Sequence, residues 1–205
     1  MTEENHISTL FLDIGGVLLT DGWNRNSRQA ATKLFHLNHQ DMDERHHLNF
    51  ETYELGKMTL DTYLDRVIFY KPRNFSKDEF KTFMYEQSQS HPEMIKLFIH
   101  LKMKYSLKVA VVSNEGRELN NYRIKKFKLN SFIDFFISSS FVKFRKPDAD
   151  IFNLALDIAQ VNASEILYID NQPMFVGIAE GFGIKGISHS DYDTTVAKLK
   201  EFGLA

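Results

Sequence analysis

The chain has 205 residues, of which 43% are hydrophobic and 25% charged, a composition that supports a large buried core and excludes disorder. Lys and Arg number 25 against 27 Asp and Glu, and the net charge of −2 offers no electrostatic footprint for nucleic acid or an anionic membrane. With no Cys anywhere, disulfides, thiolate metal sites and cysteine nucleophiles are all excluded.

The N-terminal stretch MTEENHISTL carries acids where a signal peptide would carry basic residues and an apolar run, and no segment approaches the roughly 20 apolar residues that span a bilayer. A soluble, cytoplasmic protein is expected. Ile7 to Asp13 (ISTLFLD) is a short apolar run that ends in an acid and meets Gly15 and Gly16, the pattern of a buried strand entering a tight turn. From about Asp21 to Ser90 charged, aromatic and His residues dominate, and Leu60, Tyr63, Leu64, Val67 and Ile68 recur at helical spacing. Lys108 to Ser113 (KVAVVS), Phe135 to Ser138 (FFIS) and Ile166 to Asp170 (ILYID) read as three more strands between amphipathic helical stretches, and Ile184 to Ile187 adds a fifth.

Strands alternating with helices predict an α/β fold, a Rossmann-like parallel sheet with helices on both faces. Residues 1–20 and 91–205 form this core, and residues 21–90 form a helical cap inserted after the first strand. Such an insert is placed to close over the carboxyl ends of the strands, where open α/β sheets bind ligands.

On a parallel sheet the strand-end residues Asp13, Ser113 and Asp170 share one edge, and Lys146 in FRKPDADIF can join them. Two carboxylates, a hydroxyl, an ammonium and turn amides suit a phosphate together with a divalent cation. An Asp carboxylate beside Mg²⁺ can attack phosphorus, dividing hydrolysis into formation and breakdown of an aspartyl-phosphate.

FLDIGGVLLT, VVSNEG, KPDADIF and YIDNQPMFVGIAEGFGIKGI resemble, in order, the four motifs of the haloacid dehalogenase-like (HAD) superfamily of phosphatases over nearly the full chain. The resemblance implies that Asp13 is the nucleophile, that Ser113 and Asn114 donate to the phosphate, and that Lys146 faces both nucleophile and phosphate. It implies Mg²⁺ as cofactor, held by Asp13, the Gly15 carbonyl and the pair Asp170 and Asn171. The implied substrate is a small phosphorylated metabolite, sugar phosphates among the candidates, with no nucleic acid or membrane partner. The chain is expected to act as a monomer or homodimer.

Two departures matter. The family carries a second Asp two residues after the nucleophile as general acid and base, a function worth about 10²–10⁴-fold in rate, and this chain has Gly15 there. Some sugar-phosphate phosphatases of the family resemble it in this, and Asp21 is the nearest downstream acid. The adjacent acids of the fourth motif are here Asp170 and the uncharged Asn171, with Phe175 at the later polar position, so a weaker metal site is expected.

Other residues read as structural. Asp148 is expected to cap the following helix. His36, His39, His46 and His47 are expected on the solvated surface, since adjacent side chains on a helix point in different directions. Trp23 and Arg25 follow the first motif and could line the mouth of the site, Phe50 and Tyr53 are cap core or substrate wall, and packing is the better reading of the aromatics. Gly181 and Gly183 mark a helix end and the turn into the last strand. No GxGxxG or GxxxxGK[ST] supports a nucleotide fold. The alternatives are a catalytically silent binding or regulatory protein on the same fold and, with less support, a haloacid dehalogenase. A receiver domain lacks this insert and places its acids differently.

Overall fold

The computed structural model describes residues 6–205. Strand β1 (Thr9–Leu12) is buried at every position, as expected of an apolar strand covered on both faces. It is the central strand of a five-stranded sheet ordered β3-β2-β1-β4-β5, with β2 at Lys108–Ser113, β3 at Phe135–Ser138, β4 at Ile166–Asp170 and β5 at Lys185–Ser188. Every pairing is parallel.

Four helices follow β1: α1 (Arg25–Leu34), α2 (His39–Glu54), α3 (Leu60–Val67) and α4 (Lys77–Glu86). Then come α5 (Pro92–Tyr105), α6 (Arg117–Lys126) after β2, and α7 (Ser139–Val142) and α8 (Ala149–Ala159) after β3. Helix α9 (Pro173–Gly181) joins β4 to β5, and α10 (Tyr192–Glu201) ends the chain. None of these helices is long and apolar enough to cross a membrane.

Alternate strand residues face opposite sides of the sheet. Leu10, Leu12, Val109, Val111, Leu167 and Ile169 meet Met94, Phe98 and Leu101 of α5 and Leu199 of α10. Phe11, Ala110, Val112, Ile137 and Tyr168 meet Ile151, Phe152 and Ala155 of α8. Each large side chain so buried contributes about 1.5–3 kcal/mol before conformational entropy is subtracted.

Helices α1–α4 pack around Trp23, Met42, Tyr53, Tyr63, Leu64 and Phe80, with Leu119 of α6 joining them. Their starts are fixed by Asn24, Asn38, Thr59 and Ser76, whose side chains accept from backbone N–H groups three residues on. Ser76 and Glu79 cap each other reciprocally.

The surface expectation fails for His46, which is buried. Its Nδ1 lies 2.8 Å from the Tyr63 hydroxyl, which also accepts from Trp23 Nε1 at 2.9 Å, so a hydrogen-bonded trio replaces hydration. Burial, with Arg28 nearby, lowers the His46 pKa to about 3, so the ring is neutral. His36, His39 and His47 are exposed as expected. Asp148 occupies the cap position of α8 without a side-chain capping bond.

Candidate active site

Sheet register places the acids. Leu12 pairs with Val111 of β2 and Ile169 of β4, so Asp13, one residue beyond β1, stands beside the carboxyl ends of both neighbours. Its N–H donates to the Ile169 carbonyl at 2.9 Å. The strand order reverses at β1, the position where open α/β sheets form ligand crevices.

Asp13, Tyr168 and Asp170 lie at positions of β1 and β4 whose register faces α8, and Lys146 precedes that helix. Lys146 Nζ lies 3.1 Å from Asp13 Oδ1 and 2.6 Å from Asp170 Oδ2, with only 1% of the residue exposed. The Tyr168 hydroxyl, 3.0 Å from Lys146 Nζ, donates to the same Asp170 oxygen, and the Gln172 N–H donates to the other at 2.7 Å. Both Asp170 oxygens are therefore taken by protein donors, and the carboxylate orients Lys146. Phe175, where the family carries a polar residue, places its ring centroid 4.9 Å from the ammonium and screens it from water.

Burial raises the Asp13 carboxyl above its ordinary range, Asp170 adds to the rise, and Lys146 and Ser113 oppose it without cancelling it. Burial lowers the Lys146 ammonium, but Asp13 and Asp170 more than offset this and hold it above its usual value. The lysine stays charged.

Asn114 is turned toward Lys146. Its side-chain amide donates to the Lys146 carbonyl at 2.9 Å and accepts from the Lys146 N–H at 2.8 Å, clamping the backbone at the cis Lys146–Pro147 bond. Ser113 ends β2 beside Asp13.

The loop after β1 folds back on itself, the Gly16 N–H donating to the Leu19 carbonyl at 2.7 Å. Gly16 has φ +74°, and a Cβ there would stand 2.0 Å from Asn171 Nδ2, so glycine is required for Asn171 to reach the loop. Asn171 donates to Asp21 Oδ1 at 3.3 Å, and the same oxygen would lie 3.4 Å from a Cβ on Gly15. Among the described residues no three His, Cys, Asp or Glu side chains form a metal cluster. The oxygens of Asp13, the Gly15 carbonyl and the Asn171 amide are nevertheless hard donors of the kind that suit Mg²⁺.

Beside this group a cavity of about 40 Å³ lies between α2 and the end of β2. Glu115 and Arg123 form a buried ion pair at 2.5 Å on its wall, and Arg123 also donates to the Thr20 carbonyl. Burial pushes Glu115 up to about 7 against the pull of Arg123. Glu54, on α2, pairs with Arg145 at 2.7 Å, and burial raises it too. Trp23, Phe50 and Tyr53 line the same cavity; Arg25 is outside it.

Sequence reasoning missed Tyr168, Glu54, Glu115 and Arg123. Tyr168 could have been found, because strand periodicity puts it on the face of Asp170. The Glu54–Arg145 pair joins segments 91 residues apart and leaves no local signal, while the Glu115–Arg123 pair links the turn before α6 to that helix.

The comparisons bear on the fold and the family. An HAD family enzyme from Bacteroides thetaiotaomicron, crystallised with magnesium and inorganic phosphate, has a similar fold, with TM-score 0.76 and 20% identity over 92% of this chain and 98% of that one. L-2-haloacid dehalogenase from Xanthobacter autotrophicus, with chloropropionic acid covalently bound, has TM-score 0.62 and 15% identity over 97% of this chain and 84% of that one. At such identities the likeness shows the fold alone. (S)-2-haloacid dehalogenase 4A from Burkholderia cepacia is 27% identical over 103 residues, 50% of this chain and 44% of the relative, so less than half of that protein is spanned. The model of the family described as haloacid dehalogenase-like hydrolase matches residues 7–183, and the chain belongs to that family of hydrolases.

Proposed function

We propose that the protein is a Mg²⁺-dependent phosphatase that hydrolyses a small phosphorylated metabolite through an aspartyl-phosphate on Asp13. The observation that carries this reading is the buried Lys146 ammonium held between Asp13 and Asp170, beside a loop whose free oxygens suit a hard cation. Asp13 would attack phosphorus as the ester P–O bond breaks, and the leaving oxygen would take its proton from water. Water would then attack the aspartyl-phosphate, returning the carboxylate and releasing inorganic phosphate.

Each side chain has a distinct part. Lys146 counters charge on Asp13 and on the phosphoryl oxygens, Ser113 donates to the phosphoryl group, and Asn114 positions Lys146 by clamping its backbone. Asp170, braced by Tyr168, orients the ammonium. Asp13, the Gly15 carbonyl and Asn171 would hold Mg²⁺, with Asp170 acting behind Lys146. When bound, the ion supplies charge neutralisation at the phosphoryl oxygens. Residues 21–90 would act as a cap that excludes bulk water. Gly15 has no proton to give, so esters with poor leaving groups should turn over slowly.

The relation to haloacid dehalogenases favours a second reading, in which Asp13 attacks carbon and displaces halide without a metal. The catalytically silent reading would retain ligand binding without turnover. Release of phosphate from sugar phosphates, nucleotides and an aryl phosphate, with Mg²⁺ or EDTA, separates them when wild type is compared with Asp13→Asn and chloride release from 2-chloropropionate is measured in parallel. Phosphate release that requires both Mg²⁺ and Asp13 is expected. Turnover unchanged in Asp13→Asn, or Asp13-dependent release of chloride alone, would overturn the proposal.

A further inference from the structure

The cation site has little charge of its own. Of its three donors only Asp13 is ionic, and that carboxylate already faces Lys146 Nζ at 3.1 Å. Both oxygens of Asp170 are taken by Lys146, Tyr168 and Gln172, so the fourth motif adds no free carboxylate. Affinity for hard cations follows the charge of the ligand set, and one countered carboxylate, a carbonyl and an amide form a weak set.

Asp21 stands where this deficit can be met. Its Oδ1 accepts from Asn171 Nδ2 at 3.3 Å and would lie 3.4 Å from a Cβ on Gly15, so one carboxylate oxygen stands beside the residues that carry two of the three donors. The preceding residue fixes its place. Thr20 donates its N–H to the Gln89 carbonyl at 2.9 Å and its hydroxyl to the Gln87 carbonyl at 2.8 Å, the same hydroxyl accepts from the Gln89 N–H at 3.0 Å, and the Thr20 carbonyl accepts from Arg123. These bonds tie the chain just before Asp21 to residues 87–89 and to α6. An amide carries its donor and its acceptor on one carbon, so a carboxylate that holds the nitrogen of Asn171 leaves its oxygen for a cation.

We propose that Asp21 is a positioning residue of the Mg²⁺ site, which holds the Asn171 amide with its oxygen left for the ion and supplies, from outside the ligand set, the negative charge that Asn171 lacks. Partners of this kind orient metal ligands, and their loss typically costs about 10–100-fold in affinity. The proposal rests on the Mg²⁺ site of the phosphatase reading, and its test needs no turnover.

Mg²⁺ alone is titrated calorimetrically into the full chain, comparing wild type with Asp21→Asn, Asp21→Ala and Asn171→Ala. Asp21→Ala removes both acceptor and charge and should weaken binding about tenfold or more. Asp21→Asn keeps an acceptor oxygen for the Asn171 nitrogen and loses only the charge, so its loss should be smaller, about threefold. In an Asn171→Ala background the effect of Asp21→Ala should shrink to that of the charge alone, as expected of two residues acting as a unit. Urea midpoints in EDTA should stay at the wild-type value in both Asp21 variants, because that side chain is exposed. Mg²⁺ affinity unmoved by Asp21→Ala, a loss of the same size with and without Asn171, a loss accompanied by a lower urea midpoint in EDTA, or no binding of Mg²⁺ by wild type would overturn the proposal. Failure of the phosphatase reading would show separately, as no Asp13-dependent phosphate release from any phosphate ester by wild-type protein that binds Mg²⁺.

Discussion

Replacing Lys146 with Met removes the cation between two buried acids while leaving the length of the side chain nearly unchanged. Lys146 Nζ stands 3.1 Å from Asp13 and 2.6 Å from Asp170, and Asp170 is fully buried. Removing one partner of a buried ion pair costs about 3–5 kcal/mol. For a chain of this size, at about 2–4 °C per kcal/mol, Tm should fall by about 6–20 °C. The loss should also depend on pH. Burial already raises the Asp13 carboxyl, and without the ammonium it rises further above its unfolded value of about 3.9. A carboxyl with a raised folded pKa favours folding fully below the unfolded pKa, and that contribution is lost as pH climbs toward the folded value. The deficit of Lys146→Met relative to wild type should be smallest near about pH 4 and grow toward about pH 7. Urea melts in EDTA across that range measure it. A deficit that is the same at both ends, or below about 1 kcal/mol at neutral pH, would refute the assignment of Lys146 as the balancing charge.

Two further substitutions test the packing and the cation site. Gly116→Ala would put a Cβ 2.1 Å from the Tyr53 ring and should cost about 1–3 kcal/mol by overpacking, read as a lower Tm. Gly177→Ala in α9 meets nothing within 4 Å and should gain up to about 1 kcal/mol, so equal behaviour of the two variants would contradict the close approach at Gly116. Asn171→Asp adds a charge where a cation is expected and should tighten Mg²⁺ binding about tenfold or more, since affinity for hard cations follows ligand charge. Calorimetric titration with Mg²⁺ that shows no change would remove Asn171 from the ligand set.

Much of the fold was legible in the chain. The apolar runs at 7–13, 108–113, 135–138 and 166–170 contain strands β1 to β4, and the expected fifth run overlaps β5 at Lys185–Ser188. The segment expected to be helical from 21 to 90 contains α1–α4. The candidate site was legible as a gathering of residues: Asp13, Ser113, Lys146 and Asp170 do meet, because parallel register brings strand ends to one edge. Their division of labour was less legible. Asn114 reads as a phosphate donor in the sequence, whereas its amide holds the Lys146 backbone. Asp170 reads as a metal ligand, whereas Lys146, Tyr168 and Gln172 take both its oxygens.

Periodicity and strand-end position are local, and a single chain displays them wherever a core must be covered; hence the alternation of elements, the order of the motifs and the edge on which the acids stand were determined by the sequence itself. Tertiary structure decided which hydrogen bonds each side chain makes. His46 on α2 is buried against Tyr63 on α3, and Glu54 on α2 meets Arg145, next in the chain to Lys146, because separate elements pack together. No spacing within one element encodes such a contact, since it depends on how two faces dock and on the need to satisfy each polar group that docking buries.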